Sequence, residues 1–244
     1  MTFSLGNYLH TYTIVGRCPR TFQFGVALAT YSLGVGGYCP YVRTNIGALA
    51  SQAYANPQLG ILGMRLLELG FSAGKVLDEL RKEDDFYEYR QIGIVSRDGT
   101  GKCHTGSATR AWAGHIVGDG YVAMGNALAG EHIVRAIAEA FDASAAERLD
   151  ERLVRGIEAA RDAGGQTSKT GDHLAERSAA LVLHHFHDYP MMDIRVDAHD
   201  QAVDELRRIH GIFVPYSEYR ERWINDPSNV PSQDEWARKH GIRW

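Results

Sequence analysis

Apolar and polar positions alternate over residues 11–17 and 22–30, stretches rich in Thr, Val, Tyr and Phe, with the turn-forming CPRT between them. That pattern predicts an antiparallel hairpin. A third strand is expected over 45–54. The period then lengthens: Pro57 opens a segment in which Leu59, Leu62, Leu66, Leu67 and Leu69 form a helical stripe ending at Gly70. A second helix starts behind Ser72, a suitable N-cap, and carries Val76, Leu77 and Leu80. Residues 90–96 and 102–106 flank RDGTG as another hairpin, and 121–126 reads as a strand. Helices over 131–141 and 144–161 lead into the glycine-rich AGGQTSKTGD. Strands over 178–187 and 192–196 and a helix over 202–209 follow. Strands grouped in hairpins and helices grouped in pairs predict an α+β fold, not a doubly wound parallel sheet.

The texture changes after His210. Three of the four tryptophans (Trp223, Trp236, Trp244) and three of the seven prolines fall in the last 34 residues, which read as irregular and polar. Large aromatics seldom stay in water, since each buries about 150–250 Å². The chain is therefore read as a leader over 1–10, a domain over 11–210 and an aromatic-rich C-terminal arm over 211–244. The arm either folds back on its own core or embraces a second subunit, and a homodimer is expected.

Bulk properties narrow the function class. At 244 residues, 44% hydrophobic and 23% charged, the chain has the composition of a globular protein. A net charge of −4 gives no basic footprint for nucleic acid. Cys18, Cys39 and Cys103 are an odd set without a CxxC pair, which points to a reducing, cytoplasmic setting rather than a disulfide framework. No apolar run is long enough to cross a membrane, and residues 1–10 lack the basic and apolar regions of a secretory signal.

From Thr11 onward the pieces TYTIVGRCP, FGVALAT, SLGVGG, IGALASQAYANPQLG, YRQIGIVSRDG, the TG of CHTG, WAGHIVGDGYVAMGNALAG, GD…SAALVL and DIRVDAHDQAVDEL stand in one order over residues 11 to about 210. In these motifs the chain resembles the domain of unknown function 1028 family, a branch of the N-terminal nucleophile (Ntn) hydrolases. The resemblance implies a four-layer αββα sandwich of two antiparallel sheets between helix layers. It also implies catalysis by the first residue of the mature chain, whose side chain attacks an amide while its α-amine acts as base. Such an amine titrates near 7.7–8.0, against about 10.4 for lysine, so it is available near neutral pH. On this pattern Thr11 is the nucleophile of an amidohydrolase acting on a small amide or ureido compound, without metal or organic cofactor.

The pattern departs at one point. The family's reactive residue follows the initiator methionine, whereas MTFSLGNYLH precedes Thr11 here. Either the His10–Thr11 bond is cut, by Thr11 acting on its own neighbour, or Thr2 is the exposed residue; VGRCP continues the motif after TYTI, whereas LGNYLH does not continue MTFS. Uncut, Thr11 is an ordinary strand residue. Asn126, in GNALAG, matches the family's GN and is an oxyanion donor candidate. Ser32, in the loop after the second strand, is a candidate for the Thr11 amine or for substrate. Asp172 and Ser178 match GD and SAAL, but HLAE between them replaces a more basic run, leaving Arg43 as a substitute cation. GVGG lacks the GK[ST] of a phosphate loop; its glycines suit a close backbone approach.

Two rivals remain. One is a non-catalytic small-molecule binding protein that keeps the fold. The other is a metal-dependent hydrolase built on LVLHHFHDYP, with His185 and His187 on one strand face, His184 opposite, and His115 or His173 completing the set. No HExxH or CxxC accompanies those histidines, so no metal site is expected.

Overall fold

Side chains alternate between the two faces of a strand, and this decides what covers each side of the first one. The computed structural model describes residues 10–242. Most of the expected leader, Thr2 and Trp244 lie outside the described residues. The strands are β1 (Thr11–Arg17), β2 (Phe24–Thr30), β3 (Pro40–Arg43), β4 (Gly47–Ala53), β5 (Arg90–Ser96), β6 (Gly101–Thr105), β7 (Gly114–Gly118), β8 (Tyr121–Asn126), β9 (Gln166–Thr167), β10 (His173–Leu174), β11 (Ser178–His184) and β12 (Met192–Val196). The helices are α1 (Pro57–Glu68), α2 (Ala73–Glu83), α3 (Glu131–Ala143), α4 (Leu149–Asp162), α5 (Ala202–Asn225) and α6 (Gln233–Lys239).

Two antiparallel sheets dominate, one of six strands in the order β12-β11-β2-β1-β8-β7 and one of four in the order β3-β4-β5-β6. A two-stranded ribbon, β9 with β10, stands apart. Tyr12 and Ile14 of β1 join Ile133, Ile137, Leu153 and Leu206 in an apolar cluster between the large sheet and α3, α4 and α5. Val15, on the opposite face, joins Val26, Leu28 and Met124 against Ala48, Ala50 and Val95, filling the space between the sheets. A third cluster sets Leu49, Ile92 and Ile94 against Leu59, Met64, Val76 and Leu80 of α1 and α2. The fold is thus mixed α and β, with two antiparallel sheets and, among the described residues, six helices.

The helix starts follow the expected chemistry. Asn56 caps α1 by accepting from Gln58 N at 3.1 Å with Pro57 behind it, and Ser72 caps α2 by accepting from Lys75 N at 3.4 Å. Several boundaries differ from the sequence reading. The hairpin turn takes Phe22 into the left-handed region, at φ 57°, so β2 begins at Phe24. The short edge strands β3 and β7 carry too few alternating positions to announce themselves. Residues 144–148 form a turn, so α4 starts five residues later than expected. The strand expected over 178–187 stops at His184. The last helix does not end at 209: α5 runs unbroken to Asn225, through Gly211, Pro215 and the expected boundary at 210/211.

The segment beyond 210 is accordingly helical and not irregular. Phe213 and Val214 pack on the core beneath α5. Trp236 of α6 is buried, and its indole N–H donates to Pro215 O at 3.0 Å. Tertiary packing has outweighed the helix-breaking tendency of Gly and Pro here.

Candidate functional site

Register builds the site. Thr11 opens β1, which is paired on both sides, and lies opposite Asn126 of β8 and Thr30 of β2; Thr30 in turn lies opposite Ser178 of β11. Cross-strand partners share a face. Asn126, Thr11, Thr30 and Ser178 therefore form one row at the end of four central strands. The row faces the inter-sheet side, because Thr13, two residues on, donates to Gln52 Oε1 of the opposite sheet.

Thr11 is buried, and its Oγ1 donates to Thr30 Oγ1 at 3.3 Å. Thr30 Oγ1 accepts from Ser32 N at 3.2 Å and donates to the main-chain carbonyl of His10. One hydroxyl thus holds both Thr11 and the carbonyl immediately before it. Below, a network of buried amides grips the Thr11 carbonyl. Gln52 Nε2 donates to it at 3.4 Å and Asn126 Nδ2 at 3.5 Å. Both amides also donate to Gln91 Oε1, at 2.7 and 3.2 Å. Gln91 Nε2 passes the connection to Thr105 Oγ1 at 2.9 Å and Gly125 O at 2.9 Å. Asn126 Oδ1 is buried and has no hydrogen-bond partner among the described residues. Ala53 and Ala127, which follow Gln52 and Asn126, hold left-handed φ values of 69° and 52°. Such values are uncommon outside glycine and carry strain.

The remaining expected residues fall in different surroundings. Ser178 is buried and occupied: its hydroxyl donates to Ser32 O at 2.8 Å and accepts from Val35 N at 3.2 Å, pinning the glycine-rich loop. That loop keeps half-buried Ser32 beside Thr30. Asp172 is exposed at the tip of the β9–β10 ribbon, accepting from Thr170 Oγ1 at 2.5 Å. The ribbon's root does adjoin the site, for Gln166 Oε1 accepts from Tyr31 N at 2.9 Å and Thr167 N donates to Ala127 O at 3.0 Å. Arg43 is paired with Glu68 and lies opposite Gly47, at the far end of β4 from Gln52. Five residue steps of about 3.3 Å separate those ends, roughly 17 Å. The structure does not bring Arg43 to Thr11.

His185 and His187 do not share a strand face, because β11 ends at His184 and both lie beyond it. His185 Nε2 pairs with Thr21 O at 3.0 Å, His184 Nδ1 lies 3.4 Å from Thr44 Oγ1, and His187 stacks on Tyr189 at 4.9 Å. Among the described residues no three His, Cys, Asp or Glu side chains are gathered so as to hold a metal ion. Burial pushes the Cys39 and Cys103 thiols up, so neither is a ready thiolate. A cavity of about 630 Å³ lies at the opposite end of β1, walled by Arg17, Phe22, Phe24 and Asp98. Its hydroxyls are committed, Ser72 to the α2 cap and Ser96 to Asp98 at 2.8 Å.

The sequence did not single out Thr30, Gln52, Gln91 or His10. Gln52 and Gln91 interrupt the apolar strands ALASQA and RQIGIV, and a polar residue in a strand buried on both faces was the available signal. Thr30 carried none, being one of several threonines in β-patterned runs.

The family model described as "Family of unknown function (DUF1028)" matches residues 11–206, and the chain belongs to that family. The crystal structure of a DUF1028 protein from Silicibacter pomeroyi is similar, with a TM-score of 0.75 and 26% identity over 94% of each chain. Anbu from Yersinia bercovieri is far more distant, with a TM-score of 0.37 and 12% identity over 91% of this chain and 98% of that one. A Gly-1 mutant of Anbu from Hyphomicrobium sp. strain MC1 gives the same TM-score and identity over 87% and 99%. Neither Anbu likeness carries an argument. No curated protein matches the chain.

Proposed function

We propose that this DUF1028 protein is an N-terminal nucleophile hydrolase with a four-layer αββα arrangement, cleaving a small amide through Thr11 once residues 1–10 have been removed. The carrying observation is the single hydroxyl of Thr30 that joins Thr11 Oγ1 to the His10 carbonyl. A nucleophile, the bond whose cleavage frees its amine, and a donor for that carbonyl meet at one point. The family match beginning at residue 11 supports the same start.

In this reading the freed α-amine takes the proton as Thr11 Oγ adds to the substrate carbonyl. The C–N bond breaks, an amine or ammonia departs, and water cleaves the resulting ester. The Gln52–Gln91–Asn126 network fixes the main chain of Thr11, so that the hydroxyl is oriented before substrate arrives. Asn126, the candidate oxyanion donor, has its amide protons on Thr11 O and Gln91 in the uncut chain; its bare Oδ1 is an acceptor for the new amine.

Intact mass and N-terminal sequencing test this. The mature chain should begin at Thr11. Thr11→Ala should keep the leader and lose amide hydrolysis while its melting temperature stays within a few degrees. Thr11→Ser should retain partial activity, and a β-lactone should label Thr11. A protein that keeps residues 2–10 and hydrolyses amides equally well as Thr11→Ala refutes the mechanism. A retained leader with no amide ever cleaved leaves a binding protein.

A further inference from the structure

The His10 acyl group is held at both ends. Thr30 Oγ1 donates to its carbonyl oxygen. Its ring Nε2 lies 2.8 Å from Arg110 Nη1, and its ring meets Tyr31 edge-on with centroids 6.0 Å apart. An arginine has donors and no acceptor, so Nε2 presents a lone pair to the guanidinium. Tyr31 is itself backed by the Arg177 guanidinium, 4.2 Å over its ring. His10 is fully buried.

Two reactions of Thr11 converge on one intermediate. In self-cleavage, Thr11 Oγ adds to the His10 carbonyl carbon, the hydroxyl proton passes to the Thr11 nitrogen, and the C–N bond breaks. A His10 ester on Oγ and a free α-amine result. One water then adds to the ester, releasing the His10 carboxylic acid and restoring the hydroxyl. In turnover, Oγ displaces an amine from a substrate amide and leaves an acyl ester on that same Oγ, beside that same amine. The two esters differ only in the acyl group. A site that hydrolyses the His10 ester is therefore already a site for a histidine-like acyl group.

We propose that Thr30, Arg110 and Tyr31 form the acyl subsite, and that the substrates are amides whose acyl portion sets a flat hydrogen-bond acceptor, an imidazole or similar nitrogen heterocycle, against Arg110. This rests on the reading of Thr11 as nucleophile. Thr30 supplies the donor at the carbonyl in both reactions, and Arg110 with Tyr31 selects the ring.

The test uses the full chain and two probes, N-acetylhistidine amide and N-acetylleucine amide, with ammonia release as the readout. The histidine compound should show at least about tenfold higher kcat/KM, the scale of one well-made pocket contact. Arg110→Met should reduce that ratio below about threefold, with Arg110→Lys between; a ratio is insensitive to how much of a variant is folded. Thr30→Val should slow both leader loss and hydrolysis by about 10²-fold or more, as for loss of one oxyanion donor, whereas Thr30→Ser should stay within about tenfold. A wild-type ratio near one, no hydrolysis of the histidine compound, an unchanged ratio in Arg110→Met, or normal leader loss in Thr30→Val overturns the inference. If the leader is still lost and a β-lactone still labels Thr11, the nucleophile reading survives that failure. A leader that persists, with Thr11 unlabelled, removes both.

Discussion

Gln91→Leu is the sharpest test of what holds Thr11 in place. Gln91 is fully buried, accepting from Gln52 and Asn126 and donating to Thr105 Oγ1 and to the Gly125 carbonyl. Leucine fills a similar volume and carries no polar atom. Gln52 Oε1 keeps its bond from Thr13, but the Gln52 and Asn126 amide N–H groups then keep only their long bonds to Thr11 O, at 3.4 and 3.5 Å. A buried polar group left without its partner costs about 1–3 kcal/mol, and two amides are affected. Burial of the leucine offsets a fraction, so the expected loss is about 2–5 kcal/mol. For a chain of this size that lowers Tm by roughly 5–15 °C. Urea unfolding at 25 °C measures the loss, with Gln58→Leu as control. Gln58 is exposed on α1 and contributes only its main-chain N–H to the cap, so its replacement should stay within about 0.5 kcal/mol. A Gln91→Leu loss below about 1 kcal/mol with an unchanged m-value would mean the amides have other partners, and that the network does not fix Thr11.

Other outcomes follow from single positions. A Cβ on Gly60 would stand 2.0 Å from the Tyr41 ring, whose hydroxyl is bound to Pro57 O at 3.1 Å, so Gly60→Ala should destabilise by about 1–3 kcal/mol in urea unfolding despite alanine's better helix propensity. Ala127→Gly should be neutral or stabilising by up to about 1 kcal/mol by the same assay, since glycine adopts φ 52° without strain; a loss above about 1 kcal/mol would show the site needs alanine's stiffness. The hydrogen bond from Arg90 holds the buried Asp84 carboxyl below its ordinary value, against the opposing effect of burial. Its folded pKa is depressed, so its stabilisation is complete above the unfolded value of about 3.9 and is lost as pH falls through the lower folded one. Asp84→Asn should therefore cost about 1–3 kcal/mol at pH 7 and progressively less below pH 4, and a cost independent of pH would refute the pairing.

What the sequence determined by itself was local. Alternation marked β1, β2, β5, β8 and β12; the leucine stripe with Asn56, Pro57 and Ser72 marked α1 and α2. These signals are strong because the residues that set the backbone lie within a turn or two of each other. The motifs also indicated that Thr11 heads a strand. Only the tertiary structure decided what surrounds it. Thr11, Thr30, Asn126 and Ser178 are up to 167 positions apart in the chain and meet only because four strands stop in register, which no local pattern records. Gln52 reaches Thr11, and Gln91 reaches Asn126, across the gap between two sheets, a distance set by packing alone. Long-range contact likewise carried α5 past Gly211 and Pro215, where propensity said stop, and left Arg43 and Asp172 outside the row. Local preferences are worth a few tenths of a kcal/mol per residue, whereas burying an aromatic or satisfying a buried amide is worth several times that, so the packed state overrules them where the two disagree.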